Sequence, residues 1–201
     1  MQDSLTSELT LNQRRRPSFE ETELERRATK FNFGAPVTGS VTIGDSVAVG
    51  FGDGNVRIFR EGVGYSTTKA HAGVVLCMST DGEHIFTGSD DGKFVRISSD
   101  NTVEEIASFG TKWVDCVAVI DGKYACSSGG KAHVWSKGQK KPSVLEHSST
   151  IGGMAFDAKG KRLAKPIGCP KHPQKGQLTV HKHRARGDQH KKSLEQSQKC
   201  S

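Results

Sequence analysis

HAGVVLCMSTDGEHIFTGSDDGKFVRIS, residues 71–98, decides the fold. It divides into three strand-like pieces: Gly73–Met78, His84–Gly88 and Phe94–Ile97. Turns at Thr80-Asp81-Gly82 and Asp90-Asp91-Gly92 separate them. Asp-Gly between short β-branched or aromatic runs is a hairpin signal, because glycine supplies the positive φ that a tight turn needs.

The pattern recurs on both sides. Upstream, GSVTIGDSVAVGFGDGNVRIFR (residues 39–60) has turns at Gly44-Asp45 and Asp53-Gly54. Downstream, WVDCVAVIDGKYACSSGGKAHVWS (residues 113–136) turns at Asp121-Gly122 and Gly129-Gly130. Matching the strand ends aligns Phe59, Ser98 and Trp135, with steps of 39 and 37 residues. Ser66–Lys69, Val103–Ala107 and Ser143–Leu145 supply a weaker fourth strand to each repeat. Four short strands in a period near 40 are the signature of a propeller blade. Blades are therefore expected at 39–69, 73–107 and 113–145. A fourth opens at Thr150–Phe156, turns at Asp157–Lys161 and stops after Leu163-Ala164.

Over Pro36–Ala164 the chain resembles the WD-repeat β-propeller family, with its best stretch at His71–Ile97. It is similar to a bacterial branch whose third blade opens Gly-x-Lys-Trp-[Val/Ile]-Asp, here Gly110–Asp115. The resemblance implies an all-β fold, an incomplete WD-repeat propeller of about 3.5 four-stranded antiparallel blades. It also implies a hydrogen-bonded His–Ser/Thr–Asp–Trp set in each blade. His71, Thr87 and Asp91 match in the second repeat, with Ser98 at the tryptophan position. The third repeat has Trp135 but Gly129 in place of the aspartate. The first has Asp53, with Phe59 at the tryptophan position. No repeat is complete.

Charge is unevenly spread. The 201 residues carry a net +7, yet residues 1–35 and 36–164 each balance, leaving the excess in 165–201. That segment, KPIGCPKHPQKGQLTVHKHRARGDQHKKSLEQSQKCS, lacks Phe, Trp and Tyr and shows no sustained hydrophobic period. Too little apolar surface is available to offset the entropy of ordering it, so disorder is expected. Domain boundaries fall in loops rather than inside strands. A change from patterned to unpatterned sequence within the fourth blade's second strand suggests out-of-frame translation from about residue 165. Blade-like repeats are then expected in another frame of the downstream DNA. Residues 1–35 read as a charged arm. Within it, Ser18–Lys30 forms a short helix capped by Ser18, with Glu21 at the capping-box position. The run Arg14-Arg15-Arg16-Pro17-Ser18 is also similar to a basophilic phosphorylation motif.

Chemistry is sparse. Five cysteines (77, 116, 126, 169 and 200), with no C-x-x-C and no apolar leader, point to a reducing cytoplasm. No apolar run approaches a membrane span. Cys169-x-x-His172 with His181, His183 and His190 lacks a familiar zinc spacing, and no metal or cofactor is expected. The loop Gly50–Gly54 is followed by a strand rather than a helix, unlike a phosphate-binding loop. No G-x-S-x-G elbow is present, and His71, Thr87 and Asp91 read as structural, so no catalytic residue is assigned. The expected function is a non-enzymatic protein–protein interaction scaffold, with partners unnamed. The alternative is a basic nucleic-acid-associated protein acting through residues 165–201. A third reading, a propeller enzyme, needs a closed channel. Self-association through an open blade edge is also expected, with Ile151, Met154 and Phe156 lacking cover.

Overall fold

A computed structural model describes residues 20–60, 64–169 and 172–182. The chain divides into two units, Met1–Phe33 and Gly34–Ser201. In the first, α1 (Glu23–Arg27) is capped by Thr22, whose hydroxyl accepts from the Glu25 N–H at 3.3 Å. Glu25 in turn accepts from the Thr22 N–H at 2.7 Å. The capping box thus sits four residues beyond the expected one at Ser18 and Glu21. Thr22-x-x-Glu25 satisfies the same requirement, with its acidic first turn and basic last turn set along the helix dipole. Ser18 and the arginine run lie outside the described residues.

The second unit is built of antiparallel sheets. The first holds β1 (Val37–Ile43), β2 (Ser46–Phe51), β3 (Asn55–Arg60) and β4 (Gly64–Lys69) in that order. The second holds β5 (Val75–Thr80), β6 (Ile85–Ser89), β7 (Lys93–Ile97) and β8 (Val103–Ser108). The third holds β9 (Val117–Ile120), β10 (Lys123–Ser128), β11 (Lys131–Trp135) and β12 (Ser143–Glu146). A fourth sheet holds β13 (Ala155–Phe156), β14 (Arg162–Cys169) and β15 (His172–Lys182). Each of the first three sheets is a four-stranded blade in simple chain order.

Side chains alternate between two blade faces, and both faces are covered in the middle of the stack. All five residues of β6 are buried. Ile85, Val95 and Ile97 meet Ala48, Val56 and Ile58 of the first blade. From the opposite face, Phe86 and Phe94 meet Val114, Cys126 and Trp135 of the third. Burial on two faces explains why β6, Ile-Phe-Thr-Gly-Ser, carries no charged residue and no apolar–polar alternation.

Cross-strand register refines the repeat. Val47 pairs with Phe59, Ile85 with Ile97, and Tyr124 with Trp135. The residue equivalent to Trp135 in the second blade is therefore Ile97 and not Ser98, a correction to the alignment of strand ends. The spacing from Phe59 to Ile97 and from Ile97 to Trp135 is then 38 residues in both steps. Gly54, Gly92 and Gly130 share that spacing. Their carbonyls accept from Ala70, Phe109 and His147 respectively, at 3.1, 2.8 and 2.8 Å. A uniform step, with the same glycine tied to the same loop, marks one structural unit repeated.

Several expected boundaries move. The third blade's first strand begins at Val117, not Trp113, because the Val114 N–H is taken by the Ser89 carbonyl of the second blade. In the fourth repeat, Thr150–Phe156 contributes only Ala155–Phe156 to a strand. Ile151 is buried, and Met154 and Phe156 pack against Ala118, Ala125, Val134 and Leu163, so these three do not lack cover as expected. Residues 165–169 and 172–182 are in strands rather than disordered. Backbone pairing needs only N–H and C=O groups, and Leu163 anchors a strand whose side-chain pattern has stopped. Residues 170–171 and 183–201 lie outside the described residues.

Candidate functional site

The structure brings together three of the five singled-out residues. His71 sits on the loop entering the second blade, Thr87 on β6 and Asp91 in the β6–β7 turn. The turn forms because Asp91 accepts from the Lys93 N–H at 3.0 Å, a local bond that aspartate makes readily. Its carboxylate also accepts from the Ala72 N–H at 3.0 Å and from His71 Nδ1 at 3.2 Å. A carboxylate only accepts, so Nδ1 carries the proton, and Nε2 accepts from the Thr87 hydroxyl at 2.9 Å. The His71 N–H donates to the Gly54 carbonyl at 3.0 Å, which ties the loop to the first blade. Burial pushes the His71 pKa down, with Asp91 offsetting part of the effect. For Asp91, burial acts upward, but the Lys93 N–H, His71 and the Ala72 N–H outweigh it and lower the carboxyl.

His71 is 2% exposed and Thr87 fully buried. The hydrogen bonds of the trio tie a loop, a strand and a turn together. The other two residues lie elsewhere. Asp53 occupies the equivalent turn of the first blade, accepting from the Asn55 N–H at 3.0 Å and from Arg57 at 2.9 Å. Burial acts upward on Asp53, but Arg57 and Asn55 bring it down to about 2. Arg57 also stacks 4.2 Å over the Phe51 ring. Trp135 belongs to the interface between blades two and three, against Phe94 and Tyr124 at centroid distances of 5.6 and 5.5 Å.

The trio makes stability sensitive to acid. A histidine whose pKa is depressed by folding favours the folded state above its unfolded value, about 6.5, and loses that contribution as pH falls below it. His133, lowered by burial and by nearby lysines, acts in the same direction. Asp91 adds acid sensitivity only below the ordinary carboxyl range. The unfolding midpoint is therefore expected to fall between pH 7 and pH 5, and the slope to be shallower in His71→Gln. Denaturant melts of the two proteins across that range give the answer; parallel curves would contradict the assignment.

Sequence reading missed one exposed group and one hydrogen-bonded pair. Trp113 is 61% exposed, although its neighbour Val114 is fully buried. The segment around it is pinned on both sides: Phe109 N–H to the Gly92 carbonyl at 2.8 Å, and Val114 N–H to the Ser89 carbonyl at 2.9 Å. Reading Trp113 as the start of a strand concealed this. Adjacent Lys112, a charge beside the aromatic, was the available signal. Within the third blade, Ser127 donates to Asp115 and accepts from the Cys116 N–H at 3.0 Å, closing β9 onto β10 where Gly129 leaves no turn aspartate. The glycine loop at 50–54 is the β2–β3 turn. The cysteine and histidine side chains of the zinc spacing fall outside what is described.

No protein-family model matches the chain, and no curated protein sequence does. Solved structures do. The β-propeller domain of Cps50 (Swd1) from Myceliophteria thermophila aligns with a TM-score of 0.57 at 15% identity, over 66% of this chain and 48% of that one. The fold is a β-propeller. Blades of the same kind align with a chain of the mitotic checkpoint complex, at a TM-score of 0.62 and 13% identity, over 74% and 50%. The computationally designed Ika4 protein gives 0.60 at 16% identity, over 74% and 92%. The propeller blades of this chain thus span about half the length of the first two of these structures. At such identities the likeness speaks for the fold alone.

Proposed function

We propose that the chain is a non-enzymatic scaffold that binds protein partners, and that the loop bearing Trp113 is a contact point. The observation that carries this reading is a tryptophan held in water by a loop bonded at both ends. Large, rigid aromatics contribute binding energy out of proportion to their number at interfaces, and a preordered loop reduces the entropy lost on docking. Burial of His71 and Thr87 supports a structural role for that trio over a catalytic one. Free thiols at Cys77, Cys116 and Cys126 fit a reducing compartment such as the cytoplasm. Among the described residues, no helix is long and apolar enough to cross a membrane. The nucleic-acid alternative depends on residues 165–201, and no described feature adds to it.

Trp113→Ala is expected to weaken partner binding about tenfold or more while shifting folding stability by less than about 0.5 kcal/mol. Quantitative capture on immobilised wild-type and variant chains, followed by titration of the captured protein, measures the first, and denaturant melts of the two chains measure the second. Equal binding by the variant would remove this loop from the interface.

A further inference from the structure

The successive blade interfaces are unequal. Between the first and second blades, Val56, Ile58, Ile85 and Ile97 are buried; between the second and third, Phe86, Phe94 and Trp135. Between the third blade and the fourth sheet the buried set among the described residues is Ala118, Ala125, Val134 and Leu163, with Met154 and Phe156 half-buried against it. Stabilisation scales with the apolar area removed from water, so among the described residues this last interface is the weakest. Its first strand, β13, is two residues long. Side-chain polar ties across it include Lys123 Nζ to the Gly160 carbonyl at 2.6 Å and Cys116 Sγ to the Ile151 carbonyl at 3.5 Å.

The fourth sheet also contains a misfit. Phe156 pairs with Leu163 and Ala155 with Ala164, as Thr80 pairs with Ile85 and Ser79 with Phe86. Lys165 therefore occupies the place that Thr87 holds in the second blade. Thr87 bonds to His71 there. Lys165 is 0% exposed, and its Nζ has no hydrogen-bond partner among the described residues. An ammonium taken out of water without a partner opposes folding of the element that buries it. Burial accordingly lowers its pKa. The equivalent positions of blades one to three hold Val49, Thr87 and Cys126, none of them charged.

The geometry points to a releasable fourth sheet: β13–β15 detaches from the third blade as one unit while blades one to three stay folded. Opening returns Lys165 to water at the expense of the Leu163 contact and of the half-buried Phe156 packed beside it, and it uncovers Ala118, Ala125 and Val134 on the third blade. Sub-global opening of this kind follows from a low local share of buried apolar contact. It is a conformational device, distinct from the Trp113 loop and independent of what that loop binds.

Hydrogen–deuterium exchange on the full 201-residue chain tests it. Amides of β14 at Leu163–Lys165 are expected to exchange about tenfold or more faster than those of β10 at Ala125–Ser127. Lys165→Met, which keeps the volume and removes the charge, is expected to slow β14 about tenfold or more without altering β6. Leu163→Ala is expected to hasten exchange in β14 and leave β6 and β7 unchanged. The response to Lys165→Met separates release from ordinary end fraying, which would not notice the charge. Equal protection of β14 and β10, or β14 exchange indifferent to Lys165→Met, would overturn the inference.

Discussion

Replacing Trp135 with alanine is expected to lower folding stability by about 3–5 kcal/mol. The indole is 2% exposed and fills the seam between the second and third blades, against Phe94, Tyr124 and the neighbouring His133. Truncation removes transfer free energy and leaves a cavity, because strands bonded on both sides cannot collapse into it. Trp135→Phe should recover most of the loss. Val144→Ala, on the exposed third-blade edge strand, should change stability by less than about 0.5 kcal/mol. Denaturant midpoints at constant m report the difference. A loss below about 1 kcal/mol in Trp135→Ala would mean that the seam does not hold the blades together.

Gly92→Ala is expected to cost at least about 3 kcal/mol, combining a left-handed backbone with an overpacked contact. Gly92 has φ +78°, and a Cβ there would stand inside the van der Waals radius of the Gly110 carbonyl oxygen. That approach exists because the β6–β7 turn closes on the loop into the third blade, with the Phe109 N–H donating to Gly92. Gly44→Ala is the control. Gly44 also has positive φ, +52°, but a Cβ there meets nothing within 4 Å, so only backbone strain of about 1–2 kcal/mol is expected. Equal losses at the two positions, read from thermal melts of both variants, would show that backbone strain alone matters and that blade junctions are not close-packed.

Both variants probe features that were partly legible in the sequence. The turns were legible, because Asp-Gly pairs at 81–82, 91–92 and 121–122 announce themselves locally. The blade trio at His71, Thr87 and Asp91 was legible through the family resemblance, and its hydrogen bonds run as that resemblance implies. The one-residue shift from Ser98 to Ile97 was not legible. Strand ends match by residue type, whereas register is fixed by cross-strand pairing and by which face meets the next blade. Trp113 reads as the start of a strand because an aromatic before Val114 suits one. The bond from Val114 to Ser89 that makes it a loop is non-local. The fourth sheet was lost at Ala164 for a related reason. Side-chain patterning ends there, while the backbone ladder from Arg162 to Cys169 continues. Lys165, the first residue past the patterned stretch, is also the buried residue that fits its place least. The proposal of an altered reading frame from about residue 165 draws on that same discontinuity.

The central claim is that one 38-residue unit recurs, stacking blade against blade through Phe94, Tyr124 and Trp135. A nuclear Overhauser spectrum of the chain tests it most directly. Ring protons of Phe94 should give cross-peaks to Trp135 and to Tyr124, whose centroids lie 5.6 and 6.1 Å away, together with cross-strand contacts between Thr87 and Val95. Sequential helical contacts anywhere within residues 37–146, or a Phe94 ring with no contact to Trp135 or Tyr124, would contradict the stacked-blade account.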